Sequence, residues 1–188
     1  MGARIALKNL LATANPQINT NTKIQNNMEN QEQKILEAKQ KIKKILSADK
    51  DTSKGLVKEE ILPVSEKEAE ILSKITGLNI TTQYKHIIDK SGLNHAFSAH
   101  GHDNEKLRGQ RKLTENDILR IPEIITRYDC LKIPLNSKGE QIKSSQQNTI
   151  IQYEKTFDDG TTYYVEEVRT GKKEFALATM WIKEKREA

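Results

Sequence analysis

All four histidines of the 188-residue chain, His86, His95, His100 and His102, fall between positions 86 and 102. Three chemistries compete for them. His95, His100, His102 and Asp103 could ligate a metal, but the step of five from His95 to His100 does not put both on one helical face, which needs three or four. The single cysteine, Cys130, adds no thiolate cluster and allows no internal disulfide, so no metal is expected. Alternatively, His100 follows Leu93, Ala96 and Phe97 at helical spacing and is a helix-end histidine favoured by the helix dipole. The third option is acid–base work, because an imidazole exchanges protons near neutral pH.

The neighbours of His100 bear on that third option. Arg108-Gly109-Gln110 makes a basic turn able to meet a phosphate. Val165, Glu167 and Arg169 share one face of a strand by alternation, and Thr179 stands among Leu177, Met180 and Trp181 on the next. An imidazole, a guanidinium, a carboxylate and a hydroxyl can therefore converge where a helix packs on a sheet. Each has a plainer role too. Glu167 and Arg169 can be a surface pair worth under about 1 kcal/mol, Thr179 a good strand former, Arg108 a solvated turn residue. Tyr163, Tyr164 and Trp181 can stack on bases or simply pack.

The elements that must position these groups are legible in outline. Residues 13–30, rich in Asn, Gln and Thr, have too little apolar surface to offset chain entropy and are expected to be linker or disordered. Ile35, Leu36, Ile42, Ile45 and Leu46 give an amphipathic helix over about 31–46, with Lys34, Lys41 and Lys44 on its polar face. Ser47–Lys58 is a polar linker. Ser65 with Glu68 opens a helix that Gly77 closes. Tyr84–Asp89 is a short strand, and Ser91 caps a helix ending at His100-Gly101. Thr114 with Asp117 starts another, which Pro122 kinks or restarts. From there the pattern is β: a short strand at Cys130–Ile133, then strands over 148–156, 161–169 and 174–183, joined by Asp158-Asp159-Gly160 and Thr170-Gly171-Lys172-Lys173. Helices followed by an antiparallel meander of three or four strands make an α+β fold, with helices on one sheet face. The division expected is a basic, partly helical extension over 1–58 and a domain over 59–188.

Composition sets the limits. With 35% hydrophobic residues and a mean hydropathy of −0.73, the core is modest. The net charge is +5, but its distribution matters more. Residues 1–60 hold 11 Lys/Arg against 7 Asp/Glu and the remainder 20 against 19, so the excess sits in the extension. No run is long and apolar enough for a membrane span, and the start matches neither a secretory nor a myristoylation signal. A cytoplasmic protein is expected.

The run His95-Ala96-Phe97-Ser98-Ala99-His100-Gly101, then Arg108-Gly109-Gln110, Leu113-Thr114-Glu115-Asn116-Asp117-Ile118 and Ile121-Pro122-Glu123-Ile124-Ile125, resembles phage-associated barnase–EndoU–colicin–RelE-like nuclease domains. Ile151-Gln152-Tyr153-Glu154-Lys155, Val165-Glu166-Glu167-Val168-Arg169 and Leu177-Ala178-Thr179-Met180-Trp181 continue the match in order, over about residues 60–185. Ala99 departs from the family, where a basic residue is common. The resemblance implies a barnase/RelE-like fold and an endoribonuclease, toxin or phage-associated, without a metal or other cofactor. Its substrate would be RNA, tRNA being one choice, cut by 2′-hydroxyl attack to a 2′,3′-cyclic phosphate. His100 would be the acid or base, with His95 in reserve. Arg169, helped by Arg108, would hold the phosphate, Thr179 would donate to it, and Glu167 would orient Arg169 or accept a proton. Gln110 and Tyr164 would touch substrate. An immunity or antitoxin protein in a bacterial or phage-infected cell would be the partner. The rivals are an inactive phage-particle or partner-binding module of the same fold, a protein binding nucleic acid through helix 31–46, and a metal-dependent nuclease.

Overall fold

A computed structural model describes residues 16–48 and 57–184. The expectations for the N-terminal signals and for most of the 47–58 linker lie outside them. The order is helix α1 (Pro16–Ser47), strand β1 (Lys58–Pro63), α2 (Glu66–Thr76), β2 (Lys85–Asp89), α3 (Lys90–His100), a 3-10 turn (Asp103–Arg108), α4 (Glu115–Ile118), α5 (Ile121–Thr126), β3 (Cys130–Lys132), β4 (Ile150–Thr156), β5 (Thr162–Thr170) and β6 (Glu174–Lys183). Among the described residues no helix is long and apolar enough to cross a membrane.

Helix α1 starts at Pro16, so residues 16–30 are helical rather than linker. Extending a formed helix adds a hydrogen bond per residue without a new nucleation cost, and the proline sits at the first helical position, where its missing N–H costs nothing. The chain divides into two compact units, Met1–Leu36 and Glu37–Ala188. The last turns of α1 belong to the second, where Ala38, Ile42 and Ile45 join its hydrophobic core.

All but one of the caps are the expected ones. Ser65 and Glu68 form a full capping box on α2, and Gly77 ends it in the left-handed conformation at φ 69°. Asp89, rather than Ser91, caps α3 through the Gly92 amide at 2.7 Å. Thr114 and Asp117 box α4, and α5 restarts at Ile121 with Pro122 in its first turn.

The sheet has six strands in the order β1-β2-β6-β5-β4-β3. The expected meander, β3 to β6, is antiparallel throughout. Strand β2 joins it in parallel with β6, and β1 adds antiparallel to β2. The fold is α+β, with a larger and mixed sheet. Strand β1 escapes a periodicity search because it is a charged edge, Lys58-Glu59-Glu60, ending at a proline, which is how edges resist further pairing. On one sheet face Ile151, Tyr153, Tyr163, Val165, Phe175, Met180 and Ile182 are buried in one cluster with Leu72 of α2, Ile118 of α4 and Ile121, Ile124 and Ile125 of α5. Bulges interrupt the β5–β6 register between Glu166 and Glu167 and the β1–β2 register between Glu60 and Leu62.

Candidate active site

Directly paired residues of neighbouring strands share a sheet face, so the register defines what lies opposite the core. One row crosses β6, β5 and β4 as Trp181, Tyr164 and Glu154; the next crosses β6 to β3 as Thr179, Glu166, Gln152 and Lys132. The contacts agree. The Tyr164 and Trp181 rings stack with centroids 5.1 Å apart and 5° between planes. Gln152 donates to Glu166 at 2.9 Å, and Lys132 pairs with Glu154 at 3.1 Å. Lys183 reaches over the Tyr164 ring at 5.2 Å from its centroid.

Helix α3 brings His100 to the β6 end of the first row. Its ring centroid lies 6.0 Å from that of Trp181. Close approach of α3 to β6 depends on Gly92, where an added Cβ would stand 2.5 Å from the Leu177 carbonyl oxygen. The 3-10 turn then places Glu105, itself buried, so that its carboxylate accepts from His100 Nδ1 at 3.1 Å. This leaves Nε2 as the ring nitrogen for proton exchange. Arg108 approaches the other oxygen of Glu105 at 3.7 Å and is 65% exposed, so its guanidinium is open to an anion.

Glu166 is the second titratable group here. Burial pushes its carboxyl above the usual glutamate value, against the opposing pull of the Gln152 amide and the His100 charge. Across from it, Thr179 Oγ1 is buried and has no hydrogen-bond partner among the described residues, and the same holds for Gln110 Oε1. A buried hydroxyl left unpaired across the strand from a carboxyl is a spare donor for a ligand oxygen.

Two expected site residues are not brought here. Val165, Glu167 and Arg169 do share a face, but it is the core face. Glu167 is fully buried and holds His86 Nδ1 at 2.9 Å, while the other ring nitrogen of His86 lies 3.3 Å from Glu68. Arg169 donates to the Tyr84 hydroxyl at 3.1 Å and lies over its ring. Both side chains therefore lie on the face opposite Glu166 and Thr179. His95 is exposed, and His102 bonds the Ser98 carbonyl at 2.9 Å, so the four histidines form no single site. Among the described residues no group of three or more His, Cys, Asp or Glu is arranged to hold a metal. Sequence reasoning missed Glu166, Glu105, Gln152 and the role of His86. The apolar neighbours Tyr163 and Val165 were the signal that odd positions of β5 turn inward, leaving Glu166 outward.

A family model described as phage-Barnase-EndoU-ColicinE5/D-RelE like nuclease3 matches residues 63–188. The chain belongs to this nuclease family. The matched stretch starts at the end of β1 and takes in every element from α2 to β6, including both rows of the site. It is therefore a nuclease domain of the Barnase–EndoU–Colicin–RelE type, with nucleic acid as its substrate class. Helix α1 and nearly all of β1 precede the matched residues. No curated protein and no solved structure matches the chain.

Proposed function

We propose that this nuclease domain is a metal-independent endoribonuclease that uses the RNA's own 2′-hydroxyl as nucleophile. Glu166, ionised, takes the 2′-hydroxyl proton as O2′ bonds to phosphorus. His100, as imidazolium, gives its Nε2 proton to O5′ as the P–O5′ bond breaks. The products are a 2′,3′-cyclic phosphate and a free 5′-hydroxyl. Thr179 Oγ1 donates to the phosphate, and Arg108, reached from Glu105, neutralises it. The carrying observation is that His100, oriented by Glu105, lies against Trp181 at one end of the sheet face that also carries the half-buried Glu166. Two titratable groups with different environments are what separate acid and base roles require. Single-stranded or loop RNA, tRNA among it, is the substrate in this reading. The setting is the cytoplasm of a bacterial or phage-infected cell, with an antitoxin protein as partner.

The test is incubation of the wild type, His100→Ala and Glu166→Gln with total tRNA in EDTA, resolved on a denaturing gel, with circular dichroism to show that the variants fold. The wild type is expected to give discrete fragments bearing 2′,3′-cyclic phosphates, and each variant to lose about 10²–10⁴-fold in rate. Intact RNA in the wild-type lane would replace this reading with an inactive binding module. Cleavage only when EDTA is omitted and a divalent metal supplied would replace it with a metal-dependent nuclease.

A further inference from the structure

Gln152 is a polar side chain on an interior strand, only 7% exposed, placed between Lys132 of β3 and Glu166 of β5. Burying an amide there carries a desolvation cost that an apolar residue would avoid. What it obtains is one hydrogen bond: Nε2 donates to Glu166 Oε1 at 2.9 Å. The bond comes from the β4 side. Thr179 and His100 lie on the β6 side of Glu166, so the carboxylate oxygen left for them is Oε2.

We propose that Gln152 is a positioning residue that pins Oε1 of Glu166 and thereby presents Oε2 as the oxygen that exchanges a proton with substrate. This deepens the ribonuclease reading and rests on it. An amide does not titrate, so it holds the carboxylate in one rotamer at every pH. As a donor, it favours the ionised form and opposes the burial that pushes Glu166 up. The other charged groups facing Glu166 are His100 from α3, whose charge also favours the carboxylate, and the Lys132–Glu154 pair on β3 and β4, which neutralise one another. Glu167, next in sequence, faces the opposite side of the sheet. Lys or Arg at 152 would also hold the carboxylate, but would make it a fixed ion pair too acidic to act as a base. A neutral donor tethers it while leaving it basic.

The experiment follows the Glu166 carboxyl carbon by NMR through a pH titration of the full chain, in wild type, Gln152→Leu and the near-isosteric Gln152→Glu. In parallel, it records kcat/KM against pH for RNA cleavage. In Gln152→Leu, the Glu166 midpoint is expected to rise by about one pH unit, a tenfold gain in proton affinity. The acid limb of the rate profile should move with it. In Gln152→Glu, two carboxylates share one place, so the rise should be larger and the titration should take two steps. An unchanged Glu166 midpoint in either folded variant overturns the proposal. If the midpoint moves while the wild type cuts no RNA, the positioning role stands and the ribonuclease reading fails. If the midpoint moves and the acid limb does not, Gln152 tunes a group that is not the base, and the proposal is overturned.

Discussion

Removing the imidazole of His86 should cost the domain as much stability as truncating one of the large apolar side chains on the core face. His86 is fully buried, with Nδ1 2.9 Å from Glu167 and the other ring nitrogen 3.3 Å from Glu68. Burial alone would drive its proton off, but the two carboxylates overcome this and raise its pKa to about 10. The carboxylates respond unequally. Burial pushes Glu68 up, yet His86, the Tyr153 hydroxyl at 2.7 Å and the Ser65 amide hold it below its usual value. Glu167 stays raised, because burial outweighs His86 and its Oε1 has no partner among the described residues. In His86→Leu, two buried carboxyls lose their cation, which should cost about 3–5 kcal/mol. A domain of this size is stable by about 5–15 kcal/mol, so the urea midpoint should fall by about a fifth or more. Replacing Glu167 as well, in His86→Leu/Glu167→Leu, removes one stranded carboxyl and should recover much of the loss. The pH dependence has a definite sign. The raised His86 contributes stability that is fully present below pH 6.5 and is lost as pH rises toward about 10. Glu167, raised for the opposite reason, also loses stability as pH rises above the ordinary glutamate value. Wild type should therefore weaken between pH 6.5 and 10 in urea titrations, whereas in His86→Leu, whose two buried carboxyls have lost the charge that lowers them, the weakening should begin as pH rises above the ordinary glutamate value. A loss under about 1 kcal/mol, or a double variant as unstable as the single one, would refute the buried ion cluster.

Three further outcomes follow from named contacts. Gly92→Ala should lower the thermal midpoint at a cost of about 1–3 kcal/mol, because its methyl would meet the Leu177 carbonyl at 2.5 Å and push α3 off β6. Since that shift moves His100, cleavage should fall more than folding at temperatures below the transition. Glu105→Gln should keep the fold but lower kcat by about ten- to a hundredfold, because a neutral amide stabilises the imidazolium less than a carboxylate does. A rate unchanged within error would remove Glu105 from the site. Arg169→Leu should lower the thermal midpoint through loss of its Tyr84 contact and leave the cleavage rate of folded protein within about twofold. A loss comparable to that of His100→Ala would restore Arg169 as a phosphate ligand.

Most of the strands around the site were legible because β5 alternates cleanly and the turns flanking it carry the residues that turns need. The orientation of the sheet was harder. Alternation groups Val165, Glu167 and Arg169 correctly but does not say which group faces the helices; only the weight of Tyr163 and Val165 on the odd positions does. In β6 the buried apolar residues change phase, Phe175 and Leu177 on odd numbers and Met180 and Ile182 on even ones. That shift is the sequence trace of the bulge by which Glu166 pairs with Thr179 and Glu167 with Leu177. Strand β1 and the parallel β2–β6 pair left no trace, because a charged edge and a non-local pairing are set by tertiary contacts rather than by periodicity.

Alternation along β5 puts two adjacent glutamates in completely different surroundings, while the bulge takes up one residue, Ala178, on β6. Glu167 goes down into an ion cluster with His86 and Glu68, and Glu166 goes up to Gln152, Thr179 and the field of His100. Burial pushes both carboxyls up, but only Glu166 is part-exposed, whereas Glu167 is fully buried. A one-residue slip of β5 would exchange them, putting Glu166 into the core and Glu167 on the polar face. The His86 pair disfavours that slip, since it would strand the imidazolium without Glu167. The buried cluster thus does for register what Gln152 does for rotamer: the stability lost on cutting His86 and the activity lost on cutting Glu166 should be separable in single variants, yet coupled in the strand that carries both.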